Sequence, residues 1–309
     1  MSVTRRLLLW GSENPWLAGR LPRYRFVRRA TRRFMPGEDL ETALSEAARL
    51  GRERAGTILT LLGESLEAPD EALAVVDEYL RIIDEANRRG LDLQVSVKLT
   101  QLGLDLDAEE CFANLLRIVD RAAEHGHLVW IDMEGSACTD VTLDFFRRAR
   151  SVRDNVGLAL QAYLYRTAED LEALLPLDPA IRLVKGAYAE PPEIAIPEKR
   201  DVDANYQKLA ERMLDHCAAT GACLAVFGTH DPTMIKRCVQ AAADRKVDRD
   251  RYEFDMLYGI GRAEQQRLLA GGEPLRILIS YGAAWFPWYM RRLAERPANV
   301  WFVLRNLFG

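Results

Sequence analysis

No apolar run in the 309 residues approaches the roughly 20 residues that a membrane-spanning helix needs, so the chain does not read as an integral membrane protein. Cys-x-x-Cys pairs are missing, and the five cysteines (Cys111, Cys138, Cys217, Cys223, Cys238) are odd in number. They read as reduced thiols of a reducing compartment, not as a disulfide frame or a zinc knuckle. No Gly-x-Gly-x-x-Gly follows the first candidate strand and no Walker loop occurs, which weakens a dinucleotide-binding open sheet. Low-complexity tracts and internal linkers are also missing.

What is there is ordinary for a globular protein: 49% apolar and 28% charged residues. The net charge of −4 is unevenly spread. Residues 1–34 hold nine arginines and one acid, Glu13, so the remainder is strongly acidic. The acidic body excludes nucleic acid as a partner. For the arginine-rich segment, an integral amphipathic arm, a membrane-surface helix and a cleaved presequence all stay open. The expected place is the cytoplasm, with peripheral contact at the inner face of the membrane as an alternative.

Beyond residue 37, short stretches rich in β-branched residues alternate with longer stretches of helical spacing. Strands are expected at 56–62, 93–99, 128–133, 157–163, 181–186, 223–229, 252–257 and 276–281, with helices over 70–89, 107–125, 140–150, 167–175, 201–220, 232–243 and 262–270. Asp70, Asp107, Asp140, Thr167 and Asp231 are candidate helix caps. The strands read as apolar on both faces, the pattern of parallel strands covered by helices. Eight such units predict an α/β fold, a (βα)8 TIM barrel over 51–309 preceded by an N-terminal helical arm over 1–50; an open doubly wound sheet is the second choice.

A barrel does its chemistry where strands end and βα loops begin. Those ends are polar here: Lys98 after strand two, Asp132-Met-Glu134 after strand three, Gln161 after strand four, Arg182 and Lys185 around the end of strand five, Thr229-His-Asp231 after strand six. A charge inside an apolar strand needs a partner, and Lys98 with Asp132 on the neighbouring strand are expected to pair. Arg291 and Arg292 follow strand eight, with Glu295 one turn on from Arg291; such a pair can hold a carboxylate through its fork of donors. Thr229-His230-Asp231 has the look of half a hydrolase triad, but no serine elbow accompanies it. His125-Gly-His127 falls on the stability face of a barrel, a poor place for a metal site, and no metal is expected.

The strings Val95-Ser-Val-Lys-Leu-Thr100, Ile131-Asp-Met-Glu134, Gln161-Ala-Tyr-Leu-Tyr165, Arg182-Leu-Val-Lys-Gly-Ala-Tyr188, Thr229-His-Asp231, Met256-Leu-Tyr-Gly259 and Tyr289-Met-Arg-Arg-Leu-Ala-Glu-Arg-Pro-Ala-Asn299, in this order and spacing, resemble the proline dehydrogenase family. From about Leu59 to Gly309 the likeness is to its short, monofunctional bacterial members. The resemblance implies a distorted (βα)8 barrel that binds FAD, oxidises L-proline to Δ1-pyrroline-5-carboxylate by hydride transfer to flavin N5, and passes electrons to a quinone. By the same resemblance Lys98, Arg291 and Arg292 grip the substrate carboxylate. Asp132 orients the lysine and Arg182 lies beside flavin N5. Met133, Gln161, Val184, Lys185, Gly186, Ala187, Thr229 and His230 line the cofactor, and Glu64 pairs with the first arginine to close the site, with Glu295 as a second gate residue. Leu257 and Tyr281 join the substrate pocket. Three positions depart from the family: Leu278 replaces a tyrosine that packs on the substrate ring, Asp255 replaces a glutamine, and Gly228 replaces an alanine. These departures keep open a related amine such as hydroxyproline or pipecolate. A flavin-free lyase or a binding protein on the same barrel is the remaining alternative.

Overall fold

The alternation closes on itself. In the computed structural model, which describes residues 34–63 and 66–285, eight parallel strands pair in sequence order and β8 returns to β1, so the open doubly wound alternative falls. α1 (Leu40–Arg52) precedes β1 (Gly56–Leu61). There follow α2 (Pro69–Arg88), β2 (Leu93–Val97), α3 (Ala108–Glu124), β3 (Val129–Ile131), α4 (Thr139–Arg150), β4 (Val156–Gln161) and α5 (Thr167–Leu174). β5 (Ala180–Val184), α6 (Lys199–Thr220), β6 (Leu224–Gly228), α7 (Pro232–Asp244), β7 (Tyr252–Leu257), α8 (Arg262–Ala270) and β8 (Leu275–Tyr281) complete the barrel.

The helices begin where backbone donors find acceptors. Asp107 accepts from the amides of Glu109 and Glu110 at 2.9 and 3.0 Å, and Asp231 accepts from Thr233 at 3.0 Å. Asp70, Asp140 and Thr167 lie inside their helices' first turns instead, where a negative or small polar side chain still suits the helix dipole. Each helix lays an apolar stripe on the sheet's outer face: Val76, Tyr79, Ile82 and Ile83 of α2 are fully buried, as are Leu115, Ile118 and Val119 of α3. No helix among the described residues is long and apolar enough to cross a membrane.

The lumen departs from the expected all-apolar pattern. Its middle layer is Ile58, Trp130 and Val226 with Leu278 packed against them, but at the N-terminal end of the strands Arg276 pairs with Glu253 at 3.0 Å and Asp92 at 2.7 Å. Trp130 spans the lumen and donates from its indole N–H to Gln94 at 2.6 Å. Its bulk is accommodated by Gly157 on the next strand: a methyl there would meet the indole at 2.6 Å.

β1 and β2 pair only from Thr57↔Leu93 to Leu59↔Val95. The next rung is taken by a side chain. The Tyr79 hydroxyl of α2 enters between the strands, accepting from the Leu61 amide at 3.2 Å and donating to the Ser96 carbonyl at 2.7 Å. Both backbone groups stay satisfied, yet the strands part at their catalytic ends. Burial pushes this phenol far above its ordinary pKa, so it remains a donor.

α1 packs Leu40, Ala43, Leu44, Ala47 and Leu50 against the barrel wall, where it contacts β1 and β8. In a symmetric barrel that groove belongs to a helix following β8. The rest of the expected arm, residues 1–33, lies outside the described residues. The cysteine expectation is corrected: Cys217 and Cys223 form a disulfide, with Cα atoms 5.2 Å apart. The turn from the end of α6 into β6 reverses the chain within six residues and brings the two side chains together, which spacing alone did not suggest. Cys111, Cys138 and Cys238 are free.

Two stability outcomes follow. Gly157→Ala overpacks the lumen against Trp130 and should lower the unfolding free energy by about 1–3 kcal/mol, read from the urea midpoint. Tyr79→Phe leaves the Leu61 amide and Ser96 carbonyl without their bridge; a loss of about 1–3 kcal/mol and faster hydrogen exchange at the Leu61 amide are expected.

Candidate active site at the barrel mouth

The C-terminal ends of the strands converge on one guanidinium. Arg182, on β5 and 3% exposed, reaches the lumen and lies with its Cζ 4.8 Å from the Trp130 ring centroid. Its Nη2 donates to Ser96 Oγ at 2.7 Å and to Asp132 Oδ1 in a short contact. Ser96 donates in turn to the same Asp132 oxygen at 2.8 Å. The other guanidinium nitrogen, Nη1, faces Asp255 Oδ2 at 3.5 Å. β2, β3, β5 and β7 thus contribute one polar group each to a single buried cluster, which is how a charge inside a barrel can be tolerated.

This pairing corrects the expected Lys98–Asp132 bridge. The planar guanidinium, fixed from below by Trp130, reaches Asp132 and Ser96 together, and Lys98 makes no ion pair among the described residues. Lys98 ends β2 half-buried, and its field acts on Glu134. Glu134 is buried; desolvation raises its pKa, against the pull of two hydrogen bonds from Thr100, backbone at 3.1 Å and hydroxyl at 2.6 Å. Those bonds tie the loop after β2 to the loop after β3.

Gln161, at the end of β4 and almost fully buried, donates its amide nitrogen to the carbonyls of Met133 and Glu134 at 3.2 and 3.3 Å. That orientation leaves Oε1 as a buried acceptor with no partner among the described residues. Val184 ends β5 beside Gly228: a methyl on Gly228 would lie 2.7 Å from Val184 Cγ1, so alanine does not fit there as the strands now pack. Past Val184 the chain turns at Gly186, whose φ of +109° and closeness to the Tyr163 ring exclude any side chain. Ala187 is exposed on this loop, and Glu190 pins it across the site by accepting from the Ser136 amide and hydroxyl at 2.7 and 2.6 Å.

Lys185 does not face the mouth unpaired: Asp203 of α6 and Asp231 of α7 hold its ammonium. Burial raises the pKa of Asp203 and of Asp231, but Lys185, joined by Lys199 at Asp203 and by the first amides of α7 at Asp231, outweighs it and holds both below the usual carboxylate range. Thr229 is buried, and its hydroxyl accepts from the Asp231 amide at 3.2 Å. His230 Nε2 accepts from the Leu257 amide at 3.3 Å, which leaves Nδ1 to carry the proton of the neutral ring. These bonds give Asp231 and His230 scaffolding tasks in place of a hydrolase dyad.

Leu257 and Leu278 are register partners on β7 and β8, and Leu278 also packs with Ile58, Trp130 and Val226. They form one apolar wall. Tyr281 does not belong to it. Strand alternation turns it away from Leu278 into the helix layer, where its hydroxyl donates to Glu78 of α2 at 2.9 Å. Glu64, Arg291, Arg292 and Glu295 lie outside the described residues. Nothing in the sequence singles out Ser96 or Tyr79, whose roles come from contacts across elements far apart in the chain, and Asp255 stands out there only as a glutamine replaced. No cluster of histidine, cysteine or carboxylate suited to a metal ion occurs among the described residues.

The profile of the family described as proline dehydrogenase matches residues 43–305. Proline dehydrogenase 1 of Bacillus subtilis subsp. natto is 37% identical over 305 residues, covering 99% of both chains. The proline dehydrogenase of Deinococcus radiodurans is 35% identical over 280 residues, 89% of each. Among solved structures, proline utilization A from Bdellovibrio bacteriovorus superposes with a TM-score of 0.82 at 22% identity, covering 94% of this chain and 36% of that one, a likeness of fold. The chain belongs to the proline dehydrogenase family.

Proposed function

We propose that this protein oxidises L-proline to Δ1-pyrroline-5-carboxylate, with FAD as the hydride acceptor through its flavin N5 and a quinone as the next electron acceptor. The observation that carries the reading is the match to monofunctional relatives along 99% of both chains. One group at the mouth agrees with a flavin: Gln161 Oε1 is a buried acceptor without a partner among the described residues, able to take an N–H of the ring. FAD, when bound, supplies the two-electron chemistry that no amino-acid side chain offers.

The chain's own residues supply orientation and charge. Lys98 is a half-buried cation without a carboxylate among the described residues, ready for the acid group of an amino acid. Arg291 and Arg292 complete the grip in this reading. Two features support it: β8 ends at Tyr281 on the catalytic side, and the outer groove that a following helix would take is already filled by α1. Glu64 and Glu295 would pair with these arginines. Leu257 and Leu278 offer the substrate ring an apolar wall. Such a clamp holds the donor carbon within reach of the acceptor, about 3–3.5 Å, which is most of what hydride transfer requires. Arg182, held rigid by Asp132 and Ser96, would offer a preorganised guanidinium to the negative charge of a reduced flavin bound at the mouth. Met133, Val184, Ala187, Thr229 and His230 line the cofactor side of the mouth in this reading, with Lys185 held at its edge by Asp203 and Asp231. In this reading the nine arginines of residues 1–34 would draw the protein to the anionic inner face of the membrane, where a quinone can be reached.

The purified protein should show an oxidised-flavin spectrum that L-proline bleaches anaerobically. Proline should act faster than hydroxyproline or pipecolate in the same assay; a colourless protein, or one bleached faster by pipecolate, refutes the reading. Lys98→Met should raise KM for proline and lower kcat/KM by about 100-fold while FAD content is retained, measured by steady-state kinetics beside the flavin-to-protein absorbance ratio.

A further inference from the structure

Asp255 is a buried carboxylate to which the mechanism above gives no task. It faces the lumen from β7, 5% exposed, and neither of its oxygens has a hydrogen-bond partner among the described residues. The charged groups that act on it come from three strands: Arg182 of β5, Glu253 of β7 itself and Arg276 of β8. From the helix layer, Tyr206 of α6 senses its charge. Arg276 is already engaged by Glu253 and Asp92. Arg182 is already engaged through Nη2 by Asp132 and Ser96, leaving only its Nη1 edge, 3.5 Å from Asp255 Oδ2. One guanidinium therefore stands between two carboxylates and cannot fully compensate both in a dry site.

We propose that Asp255 is a positioning residue for Arg182: as a neutral acid it leaves the guanidinium balanced by Asp132 alone, and as a carboxylate it competes for the guanidinium and makes the cluster net negative. The proposal rests on the reading of the mouth as a hydride-transfer site. With Asp255 protonated, the group of Arg182, Asp132 and Asp255 is neutral; ionised, it carries one net negative charge, which opposes the arrival of a hydride. Burial, and next the Glu253 carboxylate, push the Asp255 pKa up to about 7 against the pull of Arg182 and Arg276. The change of state thus falls near neutral pH.

Asp255→Asn keeps the shape and removes the titration. Because the folded pKa is raised, Asp255 favours folding while protonated and this contribution is lost as pH climbs from about 4 through about 7. The thermal midpoint of the variant should accordingly gain on that of the wild type between about pH 5 and pH 8, with no turnover needed. In Asp132→Asn, where Asp255 becomes the guanidinium's sole carboxylate, the wild-type transition should move to lower pH. With L-proline, the ratio of kcat/KM, variant over wild type, should rise about tenfold between about pH 6 and pH 8.5, since deprotonation of the amine substrate is common to both. A midpoint difference that does not vary with pH, a transition unmoved by Asp132→Asn, or a flat kinetic ratio overturns the proposal. Should Asp255→Asn not fold, carboxyl-labelled wild type read by 13C NMR decides: an aspartate titrating near pH 7 supports it, and none above pH 6 overturns it. Absence of turnover in both proteins counts against the proline reading, while the two stability titrations still judge the link between Asp255 and Arg182.

Discussion

A guanidinium buried on the inside of a parallel barrel is the constraint around which this molecule is arranged. Desolvating such a charge costs several kcal/mol unless partners are supplied in place. Arg182 receives them from four directions: a hydroxyl from β2, a carboxylate from the end of β3, an indole face below it and a second carboxylate from β7. The partners come from three separate strands, β2, β3 and β7, so the barrel must close in the correct order and register before the charge is affordable. The chemistry of the mouth and the stability of the lumen depend on the same contacts.

Other features read as consequences of that arrangement. Ser96 has to present its hydroxyl to Asp132 and Arg182 together, and its own carbonyl is held by the Tyr79 hydroxyl instead of by β1. The wedge at Tyr79 gives β2 a departure from β1 while keeping the Leu61 amide and the Ser96 carbonyl paired. Trp130 supplies a flat, apolar floor, and Gly157 makes room for it. Above the floor, Gly228 lets Val184 come close and Gly186 lets the backbone lie against Tyr163. Small residues stand where larger neighbours or a ligand need their volume.

The outer wall has its own bearing on the mouth. α1 fills the groove between β8 and β1 with five buried apolar residues, so the barrel is closed on the outside before the chain reaches its last segment. Glu190 and Glu134 then fasten the loops after β5 and β3 by accepting from backbone and hydroxyl donors on their neighbours. A rim built from carboxylate hydrogen bonds at least half out of water is stiffer than one built from exposed pairs, which suits the proposed task of holding a small substrate in one orientation.

The sequence by itself determined the architecture and much of the rim. Eight β-branched stretches separated by helical spacing specify a parallel barrel, because that periodicity is a local property of the chain. The polar strand ends were equally legible: a Lys, Asp, Gln or Arg at the end of an apolar run is conspicuous on cost alone. Only the tertiary structure decided who pairs with whom. Lys98 and Asp132 look like mates because their strands are neighbours, yet Asp132 meets Arg182, two strands away, since a long planar cation can cross the lumen. Tyr281 looked like a pocket residue until strand alternation turned it outward to Glu78. Cys217 and Cys223 needed the turn into β6 before they could meet. Periodicity is written in consecutive residues, whereas the partners of a buried charge are chosen by distances that exist only after the barrel has closed.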